Sequence, residues 1–297
     1  MYIGNERQKR RAIVIFLLPS MLGLIVFFLL PIISSLVISF LEYDPLKPLS
    51  SIEFLGFENF KKYFSNKDLA EQYSHVFYYM GLYIPTVLLT SVCEALILAK
   101  TFKGKSFYKI MLYIPVITSW VAVALIWKWM LNGKYGLINN WLQIFGISGP
   151  AWLINRFWAM PGIVIAAVWK DTGYYALIIL AALKGINITY YEAAQIDGAS
   201  WWNKFRKITL PLISPTIFLL IVVNVINGFQ VFESIFIMTE GGPAGATRVP
   251  VEQVYRNAFT YFNMGYASAI SWILFIIIFI ATVTQFKLQK KWVNYDS

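Results

Sequence analysis

Charge is scarce in this chain. Asp, Glu, Lys and Arg make up 13% of its 297 residues, against about 25% in ordinary soluble domains. Cysteine and histidine occur once each, as Cys93 and His75. A single cysteine excludes a disulfide framework, and Cys93, inside an apolar run, reads as a small packing residue. His75, at the start of the second span, has no partner that suggests a metal or catalytic site.

Apolar residues fill the space that charge leaves. They make up 58% of the sequence, and residues 12–41, 76–93, 110–127, 208–232 and 257–286 contain no Asp, Glu, Lys or Arg. A sixth block, 157–183, is interrupted only by Lys170 and Asp171. About 20 apolar residues cross a bilayer as a helix, so the chain reads as an all-α integral membrane protein of six transmembrane helices. The expected spans are about 12–41, 76–99, 107–131, 157–183, 211–234 and 264–286, all within a domain of residues 12–290. The first block is too long for a signal-peptide core, and no small-x-small site closes it. Pro19, Pro31, Pro85 and Pro115 fall within spans and are expected to kink them.

Basic residues set the orientation. Residues 1–11, 100–109, 184–207 and 287–297 carry 15 Lys/Arg in 56 positions, while 42–75, 128–156 and 233–256 carry nine in 87. The tails, 1–11 and 287–297, and the two short basic loops are therefore expected on the cytoplasmic side. The net charge of +10 follows from this bias and from attraction to anionic lipid, without nucleic acid. Trp127, Trp129, Trp141, Trp152 and Trp158 gather around the second outer loop, as an interfacial belt would.

The loop 184–210, between the fourth and fifth spans, has local chemistry of its own. Thr189 and Glu192 fit a capping box, Ala193, Ala194 and Gln195 continue a short helix, and Gly198 follows as its terminator. Ser200 is placed to cap a second helix. Trp201, Trp202, Phe205 and Ile208 lie on one of its sides and Asn203, Arg206 and Lys207 on the other, and Pro211 is expected to end it. Two readings of this bracket stand: an interfacial hairpin that holds two spans, or a docking element for another protein.

The order of residues favours docking. Glu192-Ala-Ala, Asp197-Gly-Ala, and then Phe205, Ile208, Leu210 and Pro211 resemble the "EAA…G…I-LP" loop of membrane subunits of binding-protein-dependent ABC importers. Trp169-Lys-Asp-Thr-Gly-Tyr174, Tyr135-Gly-Leu-Ile-Asn139, Gly241-Gly-Pro243 with Thr247, and Met264-Gly-Tyr-Ala-Ser268 are similar to stretches of the carbohydrate-uptake branch, which contains the larger maltose, lactose and glycerol-phosphate permeases.

The resemblance implies a type I importer permease fold with both termini inside a bacterial cytoplasmic membrane. It also implies a heterodimer with a second permease subunit, two copies of a cytoplasmic ATPase and an extracytoplasmic solute-binding protein that delivers a sugar or oligosaccharide. A sugar phosphate is the alternative cargo. By the same resemblance Glu192, Ala193, Ala194, Asp197, Gly198 and Ala199 form the coupling helix, with Glu192 facing either its own helix or a base on the ATPase. The chain itself is then no enzyme and binds no cofactor; ATP and Mg²⁺ belong to the ATPase.

Polar residues inside spans are costly and mark cavities or helix contacts. Asn224, Asn227 and Gln230 recur every three residues, with Glu233 beyond, as one stripe. Trp169, Lys170, Asp171 and Tyr174 form a second group near mid-membrane. Together they offer amides, carboxylates and aromatic faces to a sugar; equally, the amides could bond across helices and Lys170 could pair with Asp171. In the maltose permease the positions matching Tyr174 and Gly228 line the sugar site, and glycine at 228 departs from the amide found there. An integral-membrane enzyme using Lys170 and Asp171 as acid and base is a rival reading, and a scaffold without a pathway is another. Ala99-Lys-Thr-Phe-Lys-Gly-Lys-Ser106 matches the loosest phosphate-loop pattern, but a turn between spans lacks the strand such a loop follows.

Overall fold

The structure, a computed structural model, describes residues 6–293; residues 1–5 and 294–297 of the expected tails lie outside it. The chain opens with α1 (Glu6–Leu24), a π turn (Ile25–Leu29) and α2 (Leu30–Ile38). A two-stranded hairpin follows, β1 (Leu41–Glu42) and β2 (Glu53–Phe54), antiparallel with Leu41 opposite Phe54. Then come α3 (Glu58–Phe64), α4 (Leu69–Ala99), α5 (Lys105–Ile117), α6 (Trp120–Met130), α7 (Leu137–Ile144) and α8 (Ala159–Gly185). The remainder holds α9 (Ile188–Ile196), α10 (Trp201–Lys204), α11 (Leu210–Leu212), α12 (Ser214–Phe229), α13 (Glu233–Met238), α14 (Pro250–Tyr255) and α15 (Met264–Leu288).

Four helical stretches are long and apolar enough to cross a membrane: Ile13–Ile38, Leu69–Ala99, Ala159–Gly185 and Met264–Leu288. Two further pairs reach that length only together and are bent, α5 with α6 by 100° and Trp201–Leu212 with α12 by 63°. The expected third span, 107–131, is thus broken at Thr118–Ser119, three residues beyond Pro115, where a kink was expected, and Ser119 caps α6 by accepting the Ala122 amide at 3.3 Å. Hydropathy alone carries no trace of a bend this large, because both arms are apolar.

Two compact units divide the chain. The first contains residues up to Asn66 together with Gln253–Ile273. In it, Asn59 donates through Nδ2 to the carbonyls of Ser39 and Leu41, both at 3.0 Å. A Cβ on Gly265 would stand 2.0 Å from the Leu41 oxygen, so only glycine permits this approach. Tyr266 then lies beneath Lys62 Nζ at 4.6 Å and edge-on to Tyr63. The Met264–Ser268 stretch is therefore a packing signature. No residue of Ile13–Ile38 is buried.

The second unit, Lys67–Glu252 with the residues from Leu274 onward, is built around α8. Ala166, Ala167 and Ala176 are fully buried there, and small residues let helix backbones approach closely in a membrane. On α4 the buried positions Val76, Tyr79, Met80, Tyr83, Val87, Ser91, Ala95 and Leu98 recur at helical spacing and form the face that meets α8. At the chain's end Phe218 of α12 packs against Phe286 and Trp292, so the described part of the expected tail, 287–293, is docked.

Pro85 sits within the continuous 31-residue α4. Two other expectations are corrected. Cys93 is exposed on that helix rather than packed. The tryptophans do not form one belt: Trp127 and Trp152 are buried, while Trp129 and Trp141 are exposed, because the loop folds back on itself.

Candidate functional site

The short helix of the 184–210 loop is α9. Its cap is Asn187, whose side chain accepts the Thr189 amide at 3.0 Å; Thr189 is already inside the helix. The expected capping box is thereby overturned, since Glu192 stands two residues past the third helical position, from which a box residue reaches back to the cap. Glu192 is exposed and has no partner among the described residues. The far end follows the expected turn. Asp197 is the C-cap and Gly198 takes φ +70°. The Ala199 amide donates to Ala194 at 2.8 Å and the Gly198 amide to Gln195 at 3.1 Å, which is a complete Schellman closure. No residue of α9 is buried, and Ile196 is 88% exposed. An apolar residue at the tip of a helix without a covered face points to a partner.

The second arm starts where expected, with Ser200 accepting the Asn203 amide at 3.3 Å. Trp201 stacks on Phe205 at 5.7 Å. The arm ends as expected beside Pro211, at Leu212, before the 63° bend into α12. A π turn over Phe205–Thr209 lets the Leu210 amide reach back five residues to Phe205, and this widening accommodates the ring and missing donor of Pro211. Pro31 lies two residues beyond an identical π turn, in which the Leu30 amide donates to Ile25. Tyr191 of α9 and Thr209 share a hydroxyl–hydroxyl bond of 2.9 Å. It ties the exposed helix to the base of α12, beside a cavity of about 310 Å³ lined by Leu96, Tyr191, Ala199, Trp201, Lys204, Phe205 and Thr209.

Within α8, Lys170 and Asp171 turn to different neighbours. Lys170 Nζ donates to the carbonyls of Pro115 (3.0 Å), Val116 (3.0 Å) and Thr118 (2.8 Å). These carbonyls lie at the C-terminal end of α5 and the break that follows, and all three ammonium donors are used. Asp171 accepts from Tyr83 Oη at 2.6 Å, Tyr83 stacks on Tyr79 at 5.2 Å, and Tyr175 neighbours both Tyr83 and Asn227. No ion pair joins Lys170 to Asp171 among the described residues, so that alternative falls. One turn on, a Cβ at Gly173 would stand 2.0 Å from the Leu112 oxygen; Gly173 sets α8 against the backbone of α5. Thr172 meets Thr90 at 2.9 Å. Tyr83 and Thr90 escaped the sequence reading, although their spacing on α4 places them on the helix's buried side.

Trp169 and Tyr174 remain about half exposed, with Trp169 edge-on to Trp127 at 5.8 Å. The polar stripe divides. Asn227, Gln230 and Glu233 are exposed, and Glu233 lies within electrostatic range of Lys170. Asn224 is fully buried and donates to Leu220 of its own helix at 2.7 Å. Steps of three residues turn a helix by about 300°, so a stripe at that spacing drifts off its face. The helix also stops early, with Gln230 as C-cap of α12. Gly228 is buried, and a Cβ there would meet Met80 Cγ at 2.5 Å, so helix packing accounts for the glycine. Ala99–Ser106 joins α4 to α5 with no strand before it.

Long apolar helices and two bent pairs, with the exposed α9 on the loop between two of them, are the build of an integral membrane protein. The sequence pattern of the family described as "Binding-protein-dependent transport system inner membrane component" matches residues 62–293. The chain is 35% identical over 296 residues to the probable ABC transporter permease protein YesP of Bacillus subtilis, covering 98% of this chain and 94% of that one. To the trehalose/maltose transport system permease protein MalF of Thermococcus litoralis it is 36% identical over 217 residues, 72% of each chain. A chain in the structure of a bacterial alginate ABC transporter, bound to its pentasaccharide-loaded periplasmic protein, shares the fold with a TM-score of 0.84. Identity there is 22%, over 96% of both chains. This chain belongs to the family of binding-protein-dependent inner membrane components. It is a permease subunit of an ABC importer, a transport protein rather than an enzyme, and such a subunit works with a binding protein and an ATPase.

Proposed function

We propose that this permease carries a neutral sugar or short oligosaccharide across the cytoplasmic membrane of a bacterium. It forms half of the pathway, with a second permease subunit as the other half, and each bent helix pair counts as one of six spans. Both termini and the 184–210 loop face the cytoplasm. Two copies of an ATPase, using ATP and Mg²⁺, dock on the α9 segments, and Glu192, Ala193, Ala194, Asp197, Gly198 and Ala199 form the contact. The observation that carries the coupling role is α9 itself, with no buried residue yet locked at both ends and bonded to the π turn Phe205–Thr209 through Tyr191 and Thr209.

The pathway wall in this reading consists of Trp169, Asp171, Tyr174, Asn227, Gln230 and Glu233, with Lys170 and Asn224 bracing it from behind. Exposed amides and a carboxylate suit sugar hydroxyls, and half-exposed aromatic rings suit the C–H face of a sugar. A phosphate would want a free cation, and Lys170 has none of its donors to spare. The relatives' names, one of them a trehalose/maltose permease, support carbohydrate as the cargo class.

The test is uptake by proteoliposomes holding the complete importer and its binding protein. ATP-dependent entry of a neutral sugar, not displaced by its phosphate ester and abolished by Glu192→Lys with the assembly otherwise intact, is expected. Entry of the phosphate ester instead would overturn the cargo, and full activity of the Glu192 variant would overturn the coupling contact.

A further inference from the structure

Between α6 and α8 lies a stretch that the transport reading leaves unused. Residues 135–155 contain no Asp, Glu, Lys, Arg or His, and Lys134 and Arg156 bracket them. An outer loop of a water-facing protein has no reason to avoid charge over such a length. The stretch is also rigid. Asn139, buried, donates through Nδ2 to the carbonyls of Gly133 and Pro150, both at 3.0 Å, and accepts from Trp152 Nε1 at 2.7 Å. A Cβ at Gly149 would collide with Asn139 Oδ1 at 2.1 Å. The end of α7 is closed by Gly146 at φ +73°, with the Ile147 amide donating to Leu142 at 3.0 Å. This staple accounts for the Tyr135–Asn139 motif.

Around that rigid frame the apolar side chains point outward. Trp141 is 62% exposed, Ile144 78%, Phe145 79% and Ile147 54%. On α7 the first three share the side opposite buried Asn139, since positions i, i+3 and i+4 lie together. Polar Asn140 and Gln143 flank this face and are also exposed. A short helix with an aromatic and aliphatic outer face is the chemistry of the lipid–water boundary.

We propose that α7 and its stapled turn form a foot that lies in the plane of the membrane and sinks Trp141, Ile144, Phe145 and Ile147 into the lipid interface. The lipid surface is favoured over a protein occupant by continuity. The foot is bracketed by α6 and α8, both membrane elements, so that boundary adjoins its two ends. Exposed Lys134 stands at the edge, placed for lipid phosphate. The foot is fixed to α6, because Gly136 is packed onto the Asn132 and Met130 carbonyls. In turn α6 holds α13, with Lys128 Nζ donating to Ile237 O at 3.0 Å. The foot thus anchors one arm of the broken pair to the bilayer.

The test uses the complete importer in nanodiscs of phosphatidylethanolamine and phosphatidylglycerol, with Cys93→Ser as background. Nitroxide labels are placed at Ile144→Cys and, separately, at Gln143→Cys, and relaxation by oxygen and by a water-soluble nickel chelate is compared. The ratio of oxygen to nickel accessibility should be several-fold higher at 144 than at 143. Free access of nickel at 144 would overturn the proposal, as would shielding from both reagents, which would mean a protein cover. Neither result touches the transport reading, which the uptake assay decides.

Discussion

Lys170→Met keeps most of the side chain's length and removes its ammonium. Three carbonyls then lose a donor, those of Pro115, Val116 and Thr118. Pro115 retains the Thr118 amide at 3.3 Å, so two acceptors are left bare at the break. An orphaned buried acceptor costs about 1–3 kcal/mol, or about 2–6 kcal/mol for two. Against this stands the desolvation of the ammonium, which methionine no longer bears. The net expectation is a loss of about 2–4 kcal/mol, concentrated at the junction of α5 and α6. At about 2–4 °C per kcal/mol, the melting temperature of the purified complex falls by roughly 4–16 °C. Tryptophan fluorescence on heating reads the global loss, and hydrogen exchange of the amides of residues 118–123 reads the local one. Lys170→Arg keeps the charge in a planar fork and should fall between. A methionine variant that melts no lower than the parent, with unchanged exchange across the junction, would refute the bracing role.

Two glycines on long helices should behave oppositely. Gly173→Ala drives a methyl into the Leu112 carbonyl and should destabilise by about 3 kcal/mol. Gly81→Ala, with nothing within 4 Å of its Cβ, should gain about 0.5–1 kcal/mol from helix propensity; melting of the two variants side by side checks the pair. Gly198→Ala has open space around it but a left-handed backbone, a strain of about 1–2 kcal/mol. That strain should loosen α9, speeding exchange of its amides, and stimulation of the ATPase by loaded binding protein should drop; full stimulation would count against a rigid α9.

Apolar run length and the turn at Asp197–Gly198 were legible from composition and order, because both depend on local chemistry. The cap was not. Asn187 and Thr189 are equally able to accept an amide, and the start of the helical ladder chooses between them. Pro115 marked a kink near the α5–α6 break, but the size of the bend was hidden because it is stabilised from elsewhere in the chain, by Lys170 more than 50 residues downstream. Lys170 and Asp171 were rightly singled out as costly, but adjacent residues on a helix diverge by about 100°, so neighbours in sequence became partners of different helices. Stripe logic failed at Asn224 for the related reason that three-residue steps drift. The packing glycines at 173 and 265 are visible only once the opposing backbone is in place, and Gly228 only once the Met80 side chain is.

The π turns before Pro31 and Pro211 each hold one residue more than an α ladder would use. At Phe205–Thr209 that extra residue sets the clocking of everything beyond it. Shortening the turn by one would advance α12 by about 100° and 1.5 Å. Asn227 would then swing away from the side it shares with Tyr175, while Tyr191 would lose the hydroxyl it grips. The azimuth of the fifth span relative to α9 is thus written in a surplus residue two positions ahead of a proline.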